Sequence, residues 1–130
     1  MTTILIVEDN KNQCLLYEQE LCIEGYEIVT ATNGKEAVEK VREQTPDIIV
    51  LDINIPNMDG IETMGWILSH NKGIPIIIHT AYSNYKDNFM SWAADAYIVK
   101  SSDLSELKNK IKEILINKKL EYSKLNVAIS

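Results

Sequence analysis

Basic residues are scarce in this 130-residue chain: 13 Lys and Arg stand against 19 Asp and Glu, a net charge of −6. That balance argues against non-specific nucleic-acid binding, which needs clustered Lys and Arg. It argues equally against docking onto an acidic partner surface or an anionic membrane. Long apolar runs are missing too. Nothing in the sequence approaches the roughly 20 apolar residues of a membrane span. The start, from Met1 to Val7, has no basic segment, and its apolar run stops at Glu8, so no targeting signal is read there. Cysteine is limited to Cys14 and Cys22, eight positions apart on one expected helix. At about 1.5 Å rise per residue they stand about 12 Å apart, beyond disulfide reach. Both read as reduced packing cysteines of a cytosolic protein. Repeats and low-complexity stretches are absent as well. The length suits one domain that buries roughly two-thirds of its unfolded surface. A hydrophobic content of 45% and a charged content of 25% place it with ordinary soluble globular chains.

What the chain does have is an alternation of two periods. Ile4-Leu5-Ile6-Val7, Ile48-Ile49-Val50-Leu51, Ile76-Ile77-Ile78 and Tyr97-Ile98-Val99 are short, largely β-branched runs bounded by turn residues, and read as buried strands. Strands are expected at about 3–7, 27–31, 47–52, 75–80 and 96–99, with helices at about 11–24, 34–44, 60–71, 84–93 and 104–118. Asn10 with Gln13, Asn33 with Glu36, Asp59 with Glu62 and Asp103 with Glu106 mark helix starts, each a capping side chain three before an acid or amide. Leu104, Leu107, Ile111 and Ile114 form the cleanest apolar stripe, and Ile61, Met64, Ile67 and Leu68 form another. Gly25 stops the first helix, and Gly73 with Pro75 separates the third helix from the fourth strand. Strand-to-helix alternation implies right-handed crossovers and an α/β fold with a doubly wound, five-stranded parallel sheet in order 2-1-3-4-5. Two helices should cover one face and three the other.

Two segments are less regular. Ser83 to Asn88 is polar, so the fourth helix gains apolar anchors only around Phe89 to Ala93. Residues 82–93 are therefore expected to be the most mobile ordered part, forming a partner surface with Tyr97 and the last helix. The tail from Leu120 to Ser130 reads either as a continuation of the last helix or as the start of a linker.

Polar residues stand where the apolar runs end: Glu8 and Asp9 after the first, Asp52 after the third, Thr80 after the fourth and Lys100 after the fifth. In a parallel sheet these carboxyl ends share one edge, where open α/β folds bind ligands. Three carboxylates brought together repel one another, and a Mg²⁺ ion, which prefers oxygen ligands, removes that repulsion. Glu8 and Asp9 could instead merely complement the dipole of the helix they precede. Asp52, at the end of a different strand, weighs against that alternative. Lys100 facing the acids can pair with Asp52 and with a bound anion. Thr80 can donate one charge-assisted hydrogen bond, worth roughly 1.5–3 kcal/mol. His70 and His79 lack a metal-ligand spacing, and His79 reads as a packing or wall residue. Trp66 and Trp92 read as core or helix-interface residues.

Together, Ile6-Val7-Glu8-Asp9-Asn10, Asp47-Ile48-Ile49-Val50-Leu51-Asp52, Ile55-Pro56-Asn57-Met58-Asp59-Gly60, His79-Thr80-Ala81 and Tyr97-Ile98-Val99-Lys100 make a pattern. From residue 3 to about 118, the chain resembles the receiver domains of two-component response regulators, the chemotaxis-type, flavodoxin-like family. The resemblance implies a receiver over 1–119 and a tail over 120–130. It implies that Asp52 is the phosphoacceptor, taking a phosphoryl group from a phosphohistidine of a sensor histidine kinase or phosphotransfer protein. Asp9, Asp52 and the carbonyl of Asn54 would then ligate Mg²⁺ directly, with Glu8 acting mostly through water. Lys100 would contact the phosphoryl group, Thr80 would move onto it and Tyr97 would rotate inward. Asn54 and Tyr82 match positions that tune autodephosphorylation.

The family usually has Pro after the strand-five Lys, joined by a cis bond. Ser101 stands there, and a trans bond is expected because cis at a non-proline costs about 2.5–4 kcal/mol. The interval from Thr80 to Tyr97 also looks about two residues shorter than the family spacing, which falls on the irregular fourth helix. The expected output is a switched protein-binding face, acting on a downstream target or a fused output domain in the cytoplasm. Beyond its own phosphorylation and dephosphorylation, no enzyme activity is expected. A phosphatase of the haloacid-dehalogenase type would want an Asp two residues after Asp52, where Asn54 stands. A phosphorylation-independent pseudo-receiver would have no need of the complete acidic, Thr and Lys set.

Overall fold

The computed structural model describes residues 1–53, 60–71, 73–81 and 94–129. Its elements are β1 (Thr3–Val7), α1 (Lys11–Ile23), β2 (Glu27–Ala31), α2 (Gly34–Glu43), β3 (Ile48–Leu51), α3 (Gly60–His70), β4 (Ile76–Thr80), β5 (Ala96–Val99) and α4 (Ser105–Ile129). The strands run in the order β2-β1-β3-β4-β5, with every pair parallel. Sheet order and strand bounds follow the expectation from sequence, to within one residue at each strand end. The helix expected over 84–93 and the cap expected at Asp59 lie outside the described residues.

The central strands are apolar apart from Thr3, His79 and Thr80 at their ends, because both faces of the sheet are covered. Side chains alternate between faces. Leu5, Val7, Ile49, Leu51, Ile76 and Ile78 pack with Ala37 and Val41 of α2 and Met64 and Ile67 of α3. Ile4, Ile6, Ile48, Val50, Ile77 and Ile98 pack the other way, with Tyr17 and Leu21 of α1, Leu104 just before α4, and Leu107 and Ile111 of α4. Burying each such aliphatic side chain contributes roughly 1.5–3 kcal/mol. A charge at any of these strand positions would lose that and add desolvation.

Helix ends follow local chemistry. Asn10 Oδ1 accepts from the Gln13 N–H at 3.0 Å, and Asn33 Oδ1 from the Glu36 N–H at 2.8 Å. Asp103 departs from its expected pairing. Its carboxylate accepts from the N–H of Ser105 at 2.9 Å and from the Ser105 hydroxyl at 2.6 Å. The helix begins one residue later than expected, so the acid caps two positions on instead of three. At the end of α1, Gly25 has φ +92°. Its N–H bonds the Cys22 carbonyl at 2.9 Å while that of Tyr26 reaches Leu21 at 3.4 Å, the paired closure of a left-handed cap. Gly60 answers a different need. A Cβ there would lie 2.5 Å from the Cα of Ile53, so only glycine lets α3 start against the end of β3. Residues 120–129 continue as the last turns of α4, the helical one of the two readings of the tail.

Candidate functional site

Parallel pairing brings the strand ends to one edge. Val7 is level with Leu51, Leu51 with Ile78 and Thr80 with Val99. The residues that follow β1, β3 and β5 are therefore neighbours, beside the last residue of β4. Glu8 is anchored by its N–H on the Ala31 carbonyl at 2.9 Å, Asp52 by its N–H on Val7 at 3.0 Å, and Lys100 by its N–H on Thr80 at 2.7 Å. Glu8, Asp9 and Asp52 each offer a carboxylate oxygen within 4.8 Å of the others.

Lys100 lies between two of them. Its Nζ donates to Asp52 Oδ2 at 3.0 Å and to Glu8 Oε1. Glu8 also accepts from the Asn10 N–H at 3.4 Å. Exposure grades the acids: Glu8 is 2% and Asp52 9% accessible, whereas Asp9 is exposed. Burial pushes Glu8 above the usual carboxylate range, with Asp52 adding to it, and Lys100 offsets only part of the rise. For Lys100, burial acts to lower its pKa, but the hydrogen bonds and charges of Glu8 and Asp52 outweigh it and hold the ammonium form. Among the described residues the edge thus presents an oxygen-lined, partly desolvated cluster with the Lys100 ammonium aimed into it.

Thr80 is fully buried, as the last residue of its strand. Tyr97 is buried as well, packed in the core cluster that holds Ile76, Ile78 and Ala94. Asn54, Tyr82 and Trp92 lie outside the described residues, as does the segment 82–93 expected to be mobile. Among the described residues no peptide bond is cis, which agrees with a trans Lys100–Ser101 bond. The Ser101 hydroxyl donates to the Asp103 carbonyl at 2.8 Å instead.

Both cysteines are free. Cys14 is half-buried, its Sγ donating to the Glu8 carbonyl at 3.3 Å, but Cys22 is exposed, so the packing expectation fails there. Cys22 sits past the inward positions Tyr17 and Leu21 and faces away from the sheet. Trp66 is an interface residue between α2 and α3, with the Arg42 guanidinium 5.1 Å from its ring and His70 stacked on it at 4.2 Å.

One pair was not anticipated. His79, 3% exposed, hydrogen-bonds through Nδ1 to the Tyr17 hydroxyl, with Tyr17 1% exposed. The two rings meet edge-on at 5.6 Å. Burial, helped by the charge of Lys100 and opposed by that of Asp52, pushes His79 down to about 4. Burial also pushes the Tyr17 hydroxyl well above its ordinary range, with Glu8 and Asp52 adding to it.

Known proteins show the same arrangement of sequence and fold. Residues 4–112 match the family model of the response regulator receiver domain. The chain is 41% identical to the response regulator ArlR of Staphylococcus saprophyticus over 117 residues, 88% of this chain and 53% of that protein. It is 37% identical to the transcriptional regulatory protein ZraR of Klebsiella oxytoca, over 92% of this chain and 28% of that protein. It thus spans about half, or less, of the length of these curated relatives. Among solved structures it is similar to the response regulator TrrA of Thermotoga maritima in complex with Mg²⁺-BeF. That likeness has 46% identity and a TM-score of 0.82, and covers 87% of this chain and 98% of that one. TrrA has also been solved in complex with the histidine kinase ThkA. A strand-end acid cluster, a β2-β1-β3-β4-β5 sheet and a family match over most of the length agree: the chain belongs to the response regulator receiver domains.

Proposed function

We propose that Asp52 is the phosphoacceptor of this receiver, taking its phosphoryl group from a phosphohistidine on a sensor histidine kinase or phosphotransfer protein. The observation that carries this reading is the position of Asp52: nearly buried, beside Glu8 and Asp9, with the Lys100 ammonium 3.0 Å from its Oδ2. A carboxylate oxygen of Asp52 attacks phosphorus, the P–N bond to the donor imidazole breaks, and the imidazole leaves with its electron pair. Phosphoryl transfer needs positioning and charge neutralisation more than covalent help from the protein. Lys100 provides a fixed positive charge where the phosphoryl oxygens arrive. Thr80 provides a hydroxyl donor from the neighbouring strand end, and Tyr97, already turned into the core, would be held in that inward position as Thr80 engages.

The crowded all-oxygen donor set fits Mg²⁺. Asp9 and Asp52, with the Asn54 carbonyl, would hold the ion directly, and Glu8 would act through water. When bound, it supplies neutralisation of the acids and of charge on the phosphoryl oxygens. The TrrA complex with Mg²⁺-BeF supports the choice of ion, and the TrrA–ThkA complex supports a kinase as donor. Asn54 and Tyr82 flank the acceptor and the hydroxyl in sequence and would tune hydrolysis of the acyl phosphate.

The receiver extends over 1–119, and the tail over 120–130, whose residues through Ile129 belong to α4, would reach toward a target or a fused output domain. It acts in the cytoplasm, without binding nucleic acid or membrane itself. Its chemistry is confined to its own phosphorylation and dephosphorylation. Intact-mass measurement after incubation with acetyl phosphate should show one phosphoryl adduct in Mg²⁺ and none in EDTA. An adduct that persists in Asp52→Asn would refute the assignment.

A further inference from the structure

Beyond the strand-end acids, the described core holds a second buried polar pair close to the site, Tyr17 with His79. Its two members belong to different frames. Tyr17 is on α1, the helix that follows Glu8 and Asp9 directly and is tied back to them by the Cys14 thiol on the Glu8 carbonyl at 3.3 Å. His79 is on β4, immediately before Thr80. The register of β4 with β3 stops at Leu51 and Ile78, while that with β5 continues to Thr80 and Val99. Over its last two residues, then, β4 has left the register of one neighbour, and there the Tyr17 hydroxyl holds it to α1. Successive strand side chains point to opposite faces, so fixing the His79 ring on the α1 side fixes the direction in which Thr80 leaves the strand.

We propose that Tyr17 and His79 are positioning residues for phosphoryl transfer at Asp52. Their buried hydrogen bond sets where the Thr80 hydroxyl stands relative to the acids that lead into α1. This rests on the reading of Asp52 and Thr80 given above. Neither residue of the pair touches the phosphoryl group, and neither is a metal ligand. Loosening the bond should reduce the transfer rate without weakening Mg²⁺ binding, because displacement of a positioned group by about 1 Å is enough to slow a reaction up to a hundredfold.

The test compares Tyr17→Phe, His79→Leu, His79→Asn and the Tyr17→Phe/His79→Leu double variant with the wild-type chain. Phosphorylation rates from acetyl phosphate are followed by intact mass across a Mg²⁺ titration, with folding checked by urea denaturation. Asn is the informative rescue, since its amide can occupy the place of Nδ1 while filling the pocket less well than Leu. The expected result is a rate about tenfold lower in Tyr17→Phe and His79→Leu, at unchanged half-saturating Mg²⁺. The double variant should be no slower than either single one, and His79→Asn should stay within about threefold of wild type. Rates within twofold of wild type in both single variants would overturn the proposal. So would a double variant whose defect is the product of the two, or His79→Asn as the slowest of all, which is the order that packing alone predicts. If His79→Leu fails to fold, Tyr17→Phe with His79→Asn decides the matter alone. A wild-type chain that takes no phosphate at Asp52 would instead overturn the reading of the site, and this inference with it.

Discussion

Acidification should destabilise this domain through His79 before its carboxylates are fully titrated. The ring is 3% exposed, and its pKa falls to about 4 from an ordinary value of 6.5. Burial is the main cause, with Lys100 adding to it and Asp52 opposing. A histidine depressed in the folded state is kept neutral there, while the unfolded chain takes up the proton first. Its contribution is therefore complete above about pH 6.5, declines as pH falls through the window from 6.5 to 4, and is gone below. The full shift corresponds to roughly 3 kcal/mol at about 1.4 kcal/mol per unit, and about 2 kcal/mol of it is lost by pH 5. Glu8 runs the other way. Its raised pKa makes the folded state the better proton acceptor, so acidification favours folding at that residue. Subtraction removes this opposing effect: urea denaturation of wild type and His79→Leu at pH 7.5 and 5.0 isolates the histidine. Wild type should lose about 2 kcal/mol more than the variant between the two conditions. Equal losses in the two proteins, or a His79 ring that titrates near 6.5 by NMR, would refute the reasoning.

Lys100→Met should lower the phosphorylation rate of Asp52 by about a hundredfold, the usual effect of losing one preorganised charge stabiliser; a mass-spectrometric time course reads it. Gly60→Ala should cost about 1–3 kcal/mol in urea denaturation, because its Cβ would fall 2.5 Å from the Ile53 backbone and force the start of α3 away from β3. Gly25→Ala should cost about 1–2 kcal/mol for backbone reasons alone, since nothing lies within 4 Å of the added Cβ, and Gly25→Asn should cost less.

The site was legible because chemistry begins where the apolar runs stop. Glu8, Asp9, Asp52, Thr80 and Lys100 each stand at a strand end, and parallel pairing is enough to gather them. No distance had to be known. Asp103 and Cys22 were misread for a local reason: one residue in the start of a helix, or one position around it, changes a partner or a face without changing the pattern.

The Tyr17–His79 pair failed to show for a different reason, since its members are 62 positions apart and no local period links them. It was nevertheless within reach of argument. Both faces of the sheet are covered, so Ile77 and His79, which alternate to the same side, must both be buried against α1 and α4. A buried imidazole needs a partner. Among the described residues, the buried side chains that α1 and α4, with Leu104 just before it, bring there are Tyr17, Leu21, Leu104, Leu107 and Ile111, and of these only Tyr17 carries a side-chain hydrogen-bonding group. Burial, alternation and satisfaction of a polar atom together single out the hydroxyl once α1 is known to turn Tyr17 inward. The histidine that interrupts β4 one residue before Thr80 is therefore a tie between elements, and the helix it ties to is the one that follows the acidic residues.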